Sequence, residues 1–135
     1  YGQFVTFGGS PLPLPILHAS TALWNDDDHV VKNRSYYAKN FEIAEEILKP
    51  YNDGLVPEAG FFLWLNVGDG AVAAKKLWKE NAIKTVPGEL MARADSGDEN
   101  PGKRYLRLAL VYDAHTTRFG LEQVVKTLCM QSSGF

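Results

Sequence analysis

Late in the chain, behind the turn-forming Asn100-Pro101-Gly102, strand-forming residues run almost unbroken to Val111. Gly and Pro followed by such a run predict a β-strand with apolar faces. Alternation puts Leu106, Leu108 and Leu110 on one face and Tyr105, Arg107, Ala109 and Val111 on the other. Gly60-Phe61-Phe62-Leu63-Trp64-Leu65-Asn66-Val67 gives a second strand signal, and Ile83 to Val86 a third, short one broken by Pro87-Gly88. Helical spacing governs the remaining segments. One helix begins near Pro15, with proline in its first turn, and runs to about Trp24. A long one spans about residues 27 to 49, with Val30, Tyr37, Phe41, Ala44 and Leu48 on one face, Lys32, Lys39, Glu42 and Glu46 elsewhere, and Pro50 as its stop. A third covers Val72 to Asn81, and a closing helix runs from about Thr116 to Met130 through Leu121, Val124, Val125 and Leu128.

Two helices followed by strand, helix, strand, loop, strand and helix predict an α+β or mixed α/β domain with a small sheet covered by helices. Residues 1 to 15 stand apart. Prolines 11, 13 and 15 forbid helix there and impose an extended path, while Phe4, Val5 and Phe7 suggest that the segment packs on something. The chain opens on Tyr1 without a methionine, which is expected of a processed, trimmed or truncated product. Turn-rich connections are expected at residues 51 to 60, around Asn52-Asp53-Gly54, and at residues 89 to 104.

Composition narrows the function classes. A length of 135 residues allows one domain with a real core. The net charge of −2, with both signs scattered, gives no footprint for nucleic acid or an anionic membrane surface. No apolar run approaches the roughly 20 residues of a membrane span, and no signal peptide is visible. The single cysteine, Cys129, cannot form an internal disulfide, which favours an intracellular setting.

Self-contained catalytic constellations are missing. Asp26-Asp27-Asp28 lacks the spacing and glycine of a calcium loop and suits a helix start, where acids complement the dipole. His18, His29 and His115 form no pair at metal-binding spacing and read as solvated or capping residues. Gly8-Gly9-Ser10 lacks a phosphate-loop lysine, and Cys129 has no evident base. Arg107 remains, mid-strand in an apolar run, where an unpaired guanidinium is costly. It is either a snorkelling or salt-bridged arginine, or one held on a rigid element to grip a carboxylate bidentately.

Four blocks, in order, bring these pieces together: GGSPLPLPILHASTALWNDDDHV (8–30), GFFLWLNV (60–67), IKTVPGELMAR (83–93) and NPGKRYLRLALV (100–111). In this order and spacing the chain resembles the C-terminal part of class I/II, fold-type-I, pyridoxal-phosphate-dependent aminotransferases. It looks most like the succinyldiaminopimelate aminotransferases of bacterial lysine biosynthesis. The resemblance implies the small C-terminal domain of such an enzyme at residues 16 to 135, with a mainly antiparallel sheet, preceded by an interdomain connection at 1 to 15. A large domain outside this chain would supply the Schiff-base lysine and hold pyridoxal phosphate, and Lys75, Lys76, Lys84 and Lys103, which match none of its motifs, read as solvated surface charges.

By position in the family's Arg-Leu/Ile-Ala-Leu-Val strand, Arg107 would grip the substrate α-carboxylate. Arg93 matches an arginine common in the subfamily and would meet a distal acidic group of the substrate, with a surface ion pair as the alternative reading. Glu89 and Leu90 depart from the small polar residue and aromatic of many relatives, leaving side-chain specificity open. The implied partners are an amino acid, a 2-oxo acid, the large domain and a second subunit of a cytoplasmic homodimer. The runners-up are aspartate, aromatic or alanine aminotransferases and, outside the enzymes, a non-catalytic amino-acid-binding or regulatory α/β module.

Overall fold

The computed structural model describes residues 12–51, 57–93 and 99–128. The expectations for residues 1–11, for Asn52-Asp53-Gly54 and for Cys129 and Met130 lie outside these residues. The chain divides into two compact units, with the boundary in sequence between Ser35 and Tyr36.

The first unit holds helix α1, Leu14–Trp24, and the beginning of α2, Asp28–Leu48. Pro15 lies in the first turn of α1, where its missing N–H costs nothing. The acidic cluster starts a helix as expected: Asp26 Oδ1 accepts from the backbone N–H of Asp28 at 3.0 Å.

In the second unit, the remainder of α2 is followed by β1 (Phe62–Asn66), α3 (Gly70–Asn81), β2 (Val86–Pro87), a 3₁₀ turn (Gly88–Leu90), β3 (Tyr105–Ala109) and α4 (Ala114–Leu128). The three strands form an antiparallel sheet in the order β1-β3-β2. The fold is therefore α+β, with the carrier of Arg107 as the central strand. The predicted alternation holds. Leu106, Leu108 and Leu110 are buried together with Leu63 and Leu65 of β1, Leu77 of α3, and Leu121 and Val124 of α4. Full burial of a leucine side chain contributes about 1.5–3 kcal/mol, so this leucine layer fixes which face of the sheet points inward. Gly70 lets α3 start against the sheet, because a Cβ there would collide with the Tyr105 carbonyl.

Three expectations change. Ile83 to Thr85 are not strand. Ala82 turns left-handed (φ 56°) and the Ile83 N–H closes α3 onto the Leu77 carbonyl at 3.2 Å, so only Val86 and Pro87 pair with β3. Pro87 does not break β2 because β2 is an edge, where a missing donor is tolerated. The inward row of α2 is centred on Asn40, Ile43, Ala44 and Leu48, with Phe41 and Ile47 beside it and Tyr37 at its margin. Closing helix α4 begins at Ala114, earlier than its apolar spacing indicates, because Asp113 supplies the cap: its Oδ1 accepts from the Thr116 N–H at 2.9 Å.

Candidate functional site

The sheet's second face carries the candidate chemistry. Register places Trp64 of β1 and Val86 of β2 on either side of Arg107, and Phe62 opposite Ala109. Cross-strand partners share a face, so Phe62, Trp64, Tyr105 and Arg107 stand together, away from the leucine layer. Phe62 and Trp64 keep more than a third of their surface exposed (36% and 37%), which identifies this as an open face. Trp64 and Tyr105 stack with ring centres 5.6 Å apart and planes at 17°.

Arg107 is half-buried within this aromatic setting. Its guanidinium carbon lies 4.5 Å from the centre of the Phe62 ring. Among the described residues, ion pairs join Lys103 to Glu99 and Arg118 to Glu46, and His29 lies 3.3 Å from Asp26, so no described acid neutralises Arg107. Its Nε is buried without a hydrogen-bond partner among the described residues. Among the described residues, nothing supports the salt-bridged half of the snorkelling-or-salt-bridge alternative. What stands on the strand is a cation over an aromatic ring, with no described acid paired to it.

Beside it, the Asn100 side chain fastens the 3₁₀ turn to the turn that precedes β3. Asn100 Nδ2 donates to the carbonyls of Glu89 (3.0 Å) and Ala92 (3.2 Å), and its Oδ1 accepts from the Gly102 N–H at 2.8 Å. Gly88 and Gly102 touch so closely that a Cβ on either would meet the other's carbonyl oxygen. The same Cβ on Gly88 would press on the Trp64 ring. Across this turn Lys103 donates to Glu99 at 2.8 Å. That hydrogen bond, with the charge behind it, holds the Glu99 carboxyl below its usual range and the Lys103 ammonium above its own. Arg93 follows the 3₁₀ turn, exposed and without an ion pair to a described residue. Sequence placed Arg107 on a strand and Arg93 after the Pro87-Gly88 turn, as observed. It missed Phe62 as the ring beneath Arg107 and Asn100 as the loop's fastening, because both depend on strand register or loop closure.

Comparison with solved structures decides the fold's kinship. An aminotransferase from Neisseria meningitidis Z2491 superposes with a TM-score of 0.81 at 39% identity over 92% of this chain. Aminotransferase AspB from Helicobacter pylori 26695 superposes with a TM-score of 0.67 at 32% identity over 80% of it. The fold is an aminotransferase fold. The chain spans 32% and 27% of the lengths of these two aminotransferases. No family model and no curated protein matches it.

Other candidate chemistry is thin. A hollow beside α1, floored by Leu23, Trp24 and Val30 and rimmed by Asp26, Asp27 and His29, lies wholly in the first unit. No group of three or more His, Cys, Asp or Glu among the described residues is placed to hold a metal ion. The lysines divide. Lys75 and Lys84 are exposed and Lys103 is exposed but paired, whereas Lys76 is not a solvated charge: its Nζ donates to the Thr127 carbonyl at 2.6 Å, where α4 exposes orphan acceptors. No described helix is long and apolar enough to cross a membrane.

Proposed function

We propose that this chain is the substrate-gripping segment of a pyridoxal-phosphate-dependent aminotransferase, and that Arg107 binds the α-carboxylate of the amino acid and of the 2-oxo acid. The observation that carries the reading is the state of Arg107: half-buried on the central strand, seated on an aromatic ring, and unpaired by any described acid. A guanidinium fork on a rigid strand offers a repeatable two-point hold on a carboxylate. Bound pyridoxal phosphate supplies the electron sink for amino-group transfer in such enzymes. The described residues suit the substrate side of that site. None of Lys75, Lys76, Lys84 and Lys103 stands free in a cavity to hold the cofactor, and that task belongs to a larger domain, with a second subunit completing the enzyme. Within the amino acids, N-succinyl-diaminopimelate fits the subfamily resemblance, with exposed Arg93 as the group that would meet its distal acid.

The test is steady-state kinetics of the full-length enzyme. Removing one partner of a desolvated charge pair costs about 2–5 kcal/mol. At about 1.4 kcal/mol per tenfold, Arg107→Ala should lower kcat/KM for the amino acid roughly 30- to several-thousand-fold. Arg107→Lys should recover only part of the loss, since it keeps the charge but not the fork. An Arg107→Ala enzyme within threefold of wild type overturns the reading.

A further inference from the structure

An arginine that grips substrate must hold its plane before substrate arrives, and flexible arginines lose side-chain entropy when they are fixed. Such planes are usually fixed by a hydrogen bond to Nε or by a neighbouring carboxylate. For Arg107 neither comes from a described residue. What the structure provides instead is the Phe62 ring, 4.5 Å beneath the guanidinium carbon.

Register explains the contact. Phe62 pairs with Ala109 and Trp64 with Arg107, so Phe62 is the diagonal neighbour of Arg107, within reach of a long side chain. The methyl of Ala109 leaves the guanidinium free to cross towards the ring. Phe62 is itself braced. It meets Phe61 edge-on at 5.5 Å and 86°, and Phe61 packs on Tyr37 of α2 at 5.9 Å. Tyr36 meets Tyr37 edge-on at 5.6 Å, so contiguous rings run from α2 to the arginine. Edge-to-face contacts at these separations are favourable and directional. The ring under Arg107 is thus anchored to a helix rather than free to rotate away.

We propose that Phe62 is a positioning residue for the substrate carboxylate: its ring holds the Arg107 guanidinium in the plane that presents both terminal nitrogens to the incoming anion. The proposal rests on the carboxylate-binding reading of Arg107. It adds that affinity for the α-carboxylate is set partly by an aromatic residue that never touches the substrate's reacting atoms. A half-exposed cation over a ring gains a modest amount, which corresponds to about 2- to 30-fold in binding.

The experiment compares Phe62→Leu, Phe62→Tyr, Arg107→Ala and Phe62→Leu/Arg107→Ala in the full-length enzyme, using an amino acid and its decarboxylated amine. Phe62→Leu should raise KM for the amino acid about 2- to 30-fold while kcat changes little, and should leave kcat/KM for the amine unchanged. Phe62→Tyr keeps a ring face and should stay near wild type. The double variant should be no worse than Arg107→Ala, because the ring has nothing left to position. Three outcomes would overturn the proposal: equal losses for acid and amine, additive losses in the double variant, or a wild-type KM in Phe62→Leu. If Arg107→Ala selectively impairs the amino acid while Phe62→Leu does not, only the positioning role falls. If Arg107→Ala shows no such selectivity, the carboxylate reading falls with it.

Discussion

Asn40 is the strongest test of how the fold holds the strand that carries Arg107. It is 1% exposed in the middle of α2, and its Nδ2 donates to the carbonyls of Leu110 (2.9 Å) and Tyr112 (2.8 Å), at the exit of β3. These two bonds tie the helix to the end of the central strand. Asn40→Ala deletes both and leaves the buried Leu110 carbonyl without its side-chain donor, while the Tyr112 carbonyl keeps the Thr117 hydroxyl at 3.0 Å. A net bond contributes about 0.5–1.5 kcal/mol and an orphaned buried group costs about 1–3 kcal/mol, so the expected loss is about 2–4 kcal/mol. For a chain of this length that lowers the thermal midpoint by roughly 6–20 °C. Asn40→Asp separates hydrogen bonding from volume. An ionised carboxylate has no proton to donate and would aim its oxygens at two carbonyls. The folded protein therefore favours the protonated acid, and the folded pKa lies above the unfolded value of about 3.9. The protonated form's stability is fully present below about pH 3.9 and is lost as pH rises through the raised folded pKa. Urea denaturation should show Asn40→Asp nearest to wild type near about pH 3, where its one O–H restores one of the two bonds, and progressively weaker towards neutrality. A pH-independent gap between Asn40→Asp and wild type, or a loss below about 0.5 kcal/mol in Asn40→Ala, would refute the reasoning.

Other substitutions probe the site's supports. Gly102→Ala drives a methyl into the Gly88 backbone, so it should destabilise the chain and disturb Trp64 packing. Unchanged tryptophan fluorescence and an unchanged midpoint would contradict this. Asp113 caps α4, and its hydrogen bonds from the Thr116 N–H and hydroxyl hold its carboxyl below the ordinary 3.8. A depressed pKa contributes stability that is present above the unfolded value and lost as pH falls through the folded one. The deficit of Asp113→Ala should accordingly shrink in acid below pH 3.8, and a deficit that grows there would oppose the assignment.

Much of this was legible from residue order because burial follows period. The alternation in Tyr105 to Val111 gave both faces of β3 correctly, and the acids before Asp28 marked a helix start. The misses have physical causes. Asn40 is polar, so apolar spacing found Ala44 and Leu48 on the inward row of α2 but passed over Asn40, although its amide is what the strand exit requires. Ile83 belongs to a β-favouring run, yet its N–H closes α3. Arg107 was visible as an outlier in an apolar strand, whereas its ring partner depends on register, which no single segment encodes.

The central claim is that Arg107 is a carboxylate grip. Its most direct test is a ratio: kcat/KM for an amino acid divided by kcat/KM for the corresponding amine, in the full-length enzyme with and without Arg107→Ala. A grip predicts that the ratio collapses by roughly 30-fold or more, because the amine never used the arginine. A ratio unchanged by the substitution, with both substrates impaired alike, would show that Arg107 holds the fold and not the substrate.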